Sequence, residues 1–210
     1  MSNVKIEPLS KLHNRESFDC EVEALNLYLQ QMALQHQKKD VAKTHVLTFK
    51  DGGNPIIAFA TLNFCEVDLS ADKDNPMLKK LPQVAPCLRL CRLAVDKKYK
   101  GIGAGKHLMG FTLAKAVQVS EDIGCAGIVV DAKDNAAKQY YSLFGFVPFT
   151  SEPLRLFLPI KTARSLANLN WGENTGILEI YRFRPNPLRL FCKMRTVVDQ
   201  LIHCPLPENA

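Results

Sequence analysis

The chain has 210 residues, of which 47% are apolar and 23% charged, and its 27 Lys and Arg against 21 Asp and Glu give a net charge of +6. That length and balance fit one folded domain, or one domain with an appendage, and exclude a disordered, collagen-like or wholly coiled-coil chain. The mild basic excess suits a polyanionic partner without demanding one.

In chain order, residues 4–8 (VKIEP) read as a short strand closed by Pro8. Cys20 to Lys38 reads as a helix with Val22, Leu25, Leu29, Met32 and Ala33 on one face and Asp19 as its N-cap. From His45, two apolar runs flank Asp51-Gly52-Gly53-Asn54, the pattern of a hairpin. The polar stretch from Asp68 to Pro82 reads as a loop with a helical turn. Leu88 to Asp96 (LRLCRLAVD) reads as a strand whose apolar parity changes after Arg92. A β-bulge writes such a slip, and a strand buried on both faces is the competing explanation. Three glycines then open a long helix carrying Leu108, Met109, Leu113, Ala116 and Val117, and CAGIVVDA follows as an interior strand. Asp134 to Phe144 reads as a helix and GFVPF as a further strand, giving β-α-β units with right-handed crossovers. In the last segment GILEIYRF reads as a strand, and a helix with an apolar stripe from Leu190 to Ile202 follows Asn186-Pro187. PLRLF occurs at 153–157 and again at 187–191, without the wider periodicity of a solenoid.

No uncharged apolar run reaches the ~18 residues of a membrane span. The opening MSNVKIEPLSKLHNRES carries no apolar signal-peptide core. A cytoplasmic protein with no membrane contact is therefore expected. The seven cysteines (Cys20, Cys65, Cys87, Cys91, Cys125, Cys192 and Cys204) form no CxxC pair, and the five histidines are scattered. Reduced thiols and no metal site are expected.

Lys100-Gly101-Ile102-Gly103-Ala104-Gly105-Lys106 lies between a strand and a helix. Helix N-terminal amides receive phosphate, and glycines let it approach the backbone. The spacing is neither that of a P-loop, since His107 follows Lys106, nor the dinucleotide fingerprint. Taken alone, the loop has a tight turn into a helix as its plain alternative.

RLAVDKKYKGIGAGKHLM resembles the acetyl-CoA-binding motif of the GNAT N-acetyltransferase superfamily, with Lys100, Gly103 and Gly105 on its Arg/Gln-x-x-Gly-x-Gly/Ala positions. DNAAKQYYSLFGF resembles the superfamily's second motif, with Asp134 in place of its Asn and Ala137, Tyr141, Gly145 and Phe146 on its other positions. The resemblance implies an α+β (α/β/α sandwich) GNAT fold: a mixed, mostly antiparallel, twisted sheet with a bulged central strand and helices on both faces. It implies acetyl-CoA as cofactor, bound by Leu93, Ala94 and Val95 on the splayed strand, by Lys100, Gly101, Ile102, Gly103, Ala104, Gly105 and Lys106 on the loop, and by Asp134. Lys97 and Lys98 could also face the phosphates.

FDCEVEALNLYLQQMALQHQKK, CRLAVD, VVDAKD and GFVPF followed by LRLFLPIKT narrow the resemblance to toxins of toxin–antitoxin modules, over residues 4–164. Such toxins acetylate the α-amine of aminoacyl-tRNA and stop translation. That implies an aminoacyl-tRNA substrate, a small ribbon-helix-helix antitoxin, a homodimer as one arrangement, and no DNA contact of the chain's own. The implied division is an acetyltransferase domain at 1–164 and a C-terminal extension at 165–210. Lys38, Lys39, Lys43, Arg89 and Arg92 are candidate tRNA contacts; for each, a solvated basic face is the plain alternative.

An α-amine of pKa ~7.7–8 is partly neutral in the cell, so no strong base is required. Tyr141 is the candidate donor to the departing thiolate, with packing of a helix as its alternative. Tyr140, about 100° around the helix, is expected in the core. Three functions stay open: a tRNA-acetylating toxin, a GNAT enzyme acting on a small amine or protein, and a CoA-binding regulatory module without turnover.

Overall fold

The computed structural model describes residues 3–51 and 55–168. Positions 52–54 of the expected hairpin turn, and the strand and helix expected within 169–202, lie outside them. The described strands are β1 (Val4–Pro8), β2 (Lys43–Phe49), β3 (Ala58–Asp68), β4 (Val84–Val95), β5 (Gly127–Asp131), β6 (Val147–Pro148) and β7 (Arg155–Pro159). They form one sheet in the order β1-β2-β3-β4-β5-β7-β6. β4 and β5 are parallel, and the other neighbours are antiparallel. β2 and β3 make the expected hairpin. Arg155–Pro159, unassigned from sequence, enters between β5 and β6, so the GFVPF strand does not neighbour β5. Its apolar run LRLFLP has too few residues to separate a strand from a helix by period.

The bulge lies at Cys91: Thr61 faces Arg92 and Leu62 faces Leu90, leaving Cys91 as the extra residue. The slip restores a common face for Leu88, Leu90, Leu93 and Val95, which pack into one core cluster. That cluster also takes Leu108, Met109, Leu113 and Ala116 from α3 (Ala104–Asp122), Tyr141 from α4 (Asn135–Ser142), and Ala163 and Leu166 from α5 (Ile160–Asn168). α5 reaches residue 168, past the expected boundary at 164. Fully buried, a Leu contributes roughly 1.5–3 kcal/mol, so the α3 stripe is a principal tie between helix and sheet.

The other face is covered near β2 and β3 by α1 (Glu23–Leu27), a π-helical turn at Tyr28–Met32 and α2 (Ala33–Lys38). Tyr28, Leu29 and Ala33 pack there on Phe18, Val46, Phe59 and Ala94. Helix begins at Glu23 rather than Cys20, because Glu21 is held at φ 65°. Asp19 is therefore not the N-cap. Its carboxylate accepts from the Glu21 amide (2.9 Å) and the Asn26 side chain (3.0 Å), and pairs with Lys97. The five described cysteines are free thiols. Among the described residues no cluster could hold a metal, and no helix is long and apolar enough to cross a membrane.

Candidate active site

β5 pairs with β4 only over Cys87–Leu90. From the bulge at Cys91 onward, β4 keeps β3 on one side and, among the described residues, faces no strand on the other. A bulge adds local twist, and here the parallel pair splays at its carboxyl ends, where open sheets of this kind bind ligands. Two cavities occupy the split, about 530 Å³ and 490 Å³ in volume. Both touch Leu93, Ala94, Val95, Lys100 and Tyr141, so they are two arms of one cleft.

The first arm runs along the glycine loop. Asp96 begins the turn, accepting from the Lys98 amide (2.9 Å), and a short 3-10 turn at Lys97–Tyr99 leads into the loop. Gly101 and Gly103 sit at φ 80° and 87°, the left-handed region that favours glycine, and Gly103 is the N-cap of the 19-residue α3. A Cβ added at either glycine would meet nothing within 4 Å. The space above the loop is open, and the first-turn amides of α3 give it an electropositive floor. A phosphate-bearing chain fits this cradle. Gly101, Gly103, Ala104, Gly105, Lys106 and Asp134 line this arm together with the shared residues. Ile102 does not; it is exposed on the outside of the turn.

Lys100 lines the cleft but pairs with Glu21. Asp134 caps α4 by accepting from the Ala137 amide (2.7 Å), which holds its carboxyl below the usual range. Lys97 reaches Asp19 at 2.7 Å rather than the loop's open side.

Tyr141 lies at the junction of the two arms. It is 8% exposed, packs on Phe146 with ring centroids 5.8 Å apart, and burial pushes its phenol up to about 12. Tyr140, expected in the core, also lines the first arm, and is less buried than Tyr141. One step of 100° on an amphipathic helix can leave both residues on the same broad side, and here both rings lean toward the split. A Cβ on Gly105 would stand 3.0 Å from the Tyr140 hydroxyl.

The second arm is bounded by Leu90, Cys91 and Arg92 of β4, by Val130 and Asp131 of β5, and by Cys20, Val22, Ala24 and Leu25. The last four are site residues that sequence reasoning missed. They precede or open α1, and no spacing links them to β4. Arg92 is half-buried, with its guanidinium 3.7 Å above the Tyr28 ring. Of the five candidate tRNA contacts, Arg92 alone lines an arm. Lys38 and Lys39 end α2 at the surface, Lys43 pairs with Asp40 at 2.5 Å, and Arg89 lies 4.0 Å from Asp131.

A polar seam joins the walls of the two arms. The Asp19 amide donates to the buried Asp96 carboxylate (3.0 Å), and the Lys97 amide donates to the Asp19 carbonyl (2.8 Å). Chemically the cleft offers an anion cradle, a strand edge without a strand partner, and a phenol held as a donor where the arms meet. That is the outfit of a group transfer from a phosphate-bearing carrier to an acceptor in the second arm.

The profile of the Acetyltransferase (GNAT) family matches residues 7–146. A tRNA-acetylating toxin of Mycobacterium tuberculosis is 33% identical over 150 residues, 71% of this chain and 88% of that protein. Among solved structures, AtaT complexed with acetyl-methionyl-tRNAfMet superposes with a TM-score of 0.72 at 26% identity, covering 78% of this chain and 99% of that one. AtaTR bound with AcCoA gives 0.69 at 27% identity, covering 79% and 99%.

Proposed function

The chain belongs to the Acetyltransferase (GNAT) family and is an acetyl-CoA-dependent N-acetyltransferase, and from that premise we propose that it acetylates the α-amine of an aminoacyl-tRNA and acts as a toxin that stops translation. The observation that carries the reading is the second arm, which meets the cofactor arm at Tyr141 and presents Arg92 to an acceptor. The likeness to a tRNA-acetylating toxin supports it.

In this reading the amides of Gly103 to Lys106 hold the cofactor's phosphates, with Lys106 adding charge. The unpaired side of Leu93 to Val95 aligns the carrier arm along β4. Acetyl-CoA supplies the activated acetyl thioester. The acceptor amine attacks its carbonyl carbon, the carbon–sulfur bond breaks, the amine's proton passes to water, and the thiolate departs. Tyr141, kept protonated by burial, donates a hydrogen bond to that sulfur. A phenol near 12 is a far weaker acid than a thiol of ~8.5, so it stabilises the thiolate rather than handing over its proton.

The same proposal takes 1–164 as the catalytic domain with 165–210 as an extension, a ribbon-helix-helix antitoxin and a homodimer as assemblies, no DNA contact of the chain's own, and a cytoplasmic location, where charged tRNA resides. The test is translation in a cell-free extract with and without acetyl-CoA, followed by mass analysis of nuclease-released aminoacyl-adenosine. Arrest that requires acetyl-CoA, with N-acetyl-aminoacyl-adenosine recovered, is expected. Undisturbed translation with acetyl groups on a small amine or a protein would overturn it.

A further inference from the structure

Each charged side chain that lines the cleft can be sorted by what already holds it. Lys100 is paired with Glu21, Lys133 with Asp134 at 3.6 Å, and Asp131 with Arg155 at 2.7 Å. Among the described residues, two lining cations make no ion pair: Lys106 in the cofactor arm and Arg92 in the acceptor arm. The cradle accounts for Lys106. Arg92 needs a separate explanation.

Its setting is built. Arg92 follows the bulged residue Cys91, so it takes the place opposite Thr61 and falls on the α1–α2 face of β4. There its guanidinium lies 3.7 Å over the ring of Tyr28, which is 5% exposed and itself stacked on Phe59. Tyr28 opens the π-helical turn, a local irregularity frequent at functional sites. The Tyr28 hydroxyl has no hydrogen-bond partner among the described residues, so the ring rather than the oxygen supports the guanidinium. Stacking occupies the flat face of Arg92 and leaves its edge N–H donors in a fixed fork, the geometry that takes two oxygens of one phosphate.

We propose that Arg92, aimed by Tyr28, is a phosphodiester anchor in the acceptor arm, which grips the RNA strand beside the aminoacyl ester and so favours a tRNA-linked amine over a free one. The proposal rests on the aminoacyl-tRNA reading above. Arg92 is the specificity-determining residue and Tyr28 the positioning residue. The phosphates of the cofactor are the other source of the same chemistry, and affinity for acetyl-CoA separates the two.

The test uses the full chain and two acceptors with the same amino acid: the aminoacyl-tRNA and the amino acid methyl ester, which has no phosphate. Arg92→Ala should raise KM for the aminoacyl-tRNA about tenfold or more, with kcat changed less, and lower the slope of log KM against log salt by about 0.7–1, one contact's worth. The loss should be confined to the tRNA acceptor, and acetyl-CoA should bind as to the wild type. Tyr28→Leu should follow Arg92→Ala in direction, whereas Tyr28→Phe, which keeps the ring, should restore the wild-type KM. Equal losses on both acceptors, an unchanged salt slope, or weakened acetyl-CoA binding would overturn the proposal. A wild-type protein that acetylates the ester but no aminoacyl-tRNA would overturn the substrate reading and this inference with it.

Discussion

The two arms of the cleft are made differently. The cofactor arm is lined mainly by one continuous stretch, Leu93 to Lys106, with the glycine loop and the first-turn amides of α3 at its floor, and is closed by α4. The acceptor arm is assembled from separate stretches, residues 20–25, β4, β5 and α4, which meet only once the sheet has formed. A cradle made of backbone binds what every chain of the family must bind, and tolerates side-chain change. A wall made of side chains can change its ligand by single substitutions. Specificity therefore belongs to the second arm, and the shared chemistry to the first and to the junction.

The largest effect should come from the junction. Tyr141→Phe removes the donor to the leaving sulfur while leaving the packed ring, so acetyl transfer should fall about 10²–10³-fold, the loss for one donor to developing negative charge, with acetyl-CoA affinity nearly unchanged, measured by thiol release and by calorimetry. Tyr140→Phe, which touches only the cofactor arm, should instead weaken acetyl-CoA binding by a small factor. Reversal of the two results would place the donor on the other tyrosine.

The cofactor arm comes next. Gly103→Glu forces a side chain onto a residue at φ 87° and sets a negative charge in the anion cradle. Acetyl-CoA at 100 times its dissociation constant should stabilise the wild type by about 2.7 kcal/mol, and the variant should lose that gain. A thermal shift preserved in the variant would move the phosphates away from the loop.

The seam that ties the arms together is smaller. Asp96→Ala strands the Lys98 and Asp19 amides, each now held within 3.0 Å of the carboxylate. It should cost about 1–3 kcal/mol in urea unfolding and raise the KM for both substrates. A rise for only one would show that the arms are independent.

The smallest effect on catalysis lies away from both arms and serves as their reference. His45, half-buried against Phe111, is lowered to about 4 by burial and by Lys115. Its unfolded value is ~6.5. Above that the unfolded chain holds no extra proton. Between the two values it binds one that the folded state refuses, so stability is full above pH 6.5 and falls as pH drops toward 4. Urea midpoints across this range should decline in the wild type and less in His45→Phe, with acetyl-CoA affinity at neutral pH alike in both.

The same contrast explains what the sequence made legible. Gly101, Gly103, Gly105 and Asp134 lie in continuous stretches that carry the resemblance to the family's two motifs, and the parity slip around Arg92 marks the bulge to within a residue or two. β7 was invisible as an element, since five apolar-rich residues, Arg155–Pro159, show no period of their own. Cys20, Val22 and Leu25 were invisible as site residues, because only the approach of β4, some seventy residues later, gives them a ligand to face. Asp19 misled for a related reason: a cap and a tie to Lys97 call for the same side chain. Tyr140 packs against the core as one helical step suggests, but that step does not show that its ring also lines the split.

The splayed end of β4 can also be seen as an edge strand inside a sheet. Edges with unsatisfied backbone groups invite pairing by foreign strands, and proteins guard them with bulges, short length and recessed placement. The split has all three: the irregularity at Cys91, only five residues of open strand to Val95, and flanking cover from α4 and the 20–25 segment. A regular peptide strand arriving there would find its register broken at the first rung. A thin, flexible carrier bearing a few amides needs no register beyond the bulge, so the device that opens the cleft also protects the ligand-free protein from self-association through it.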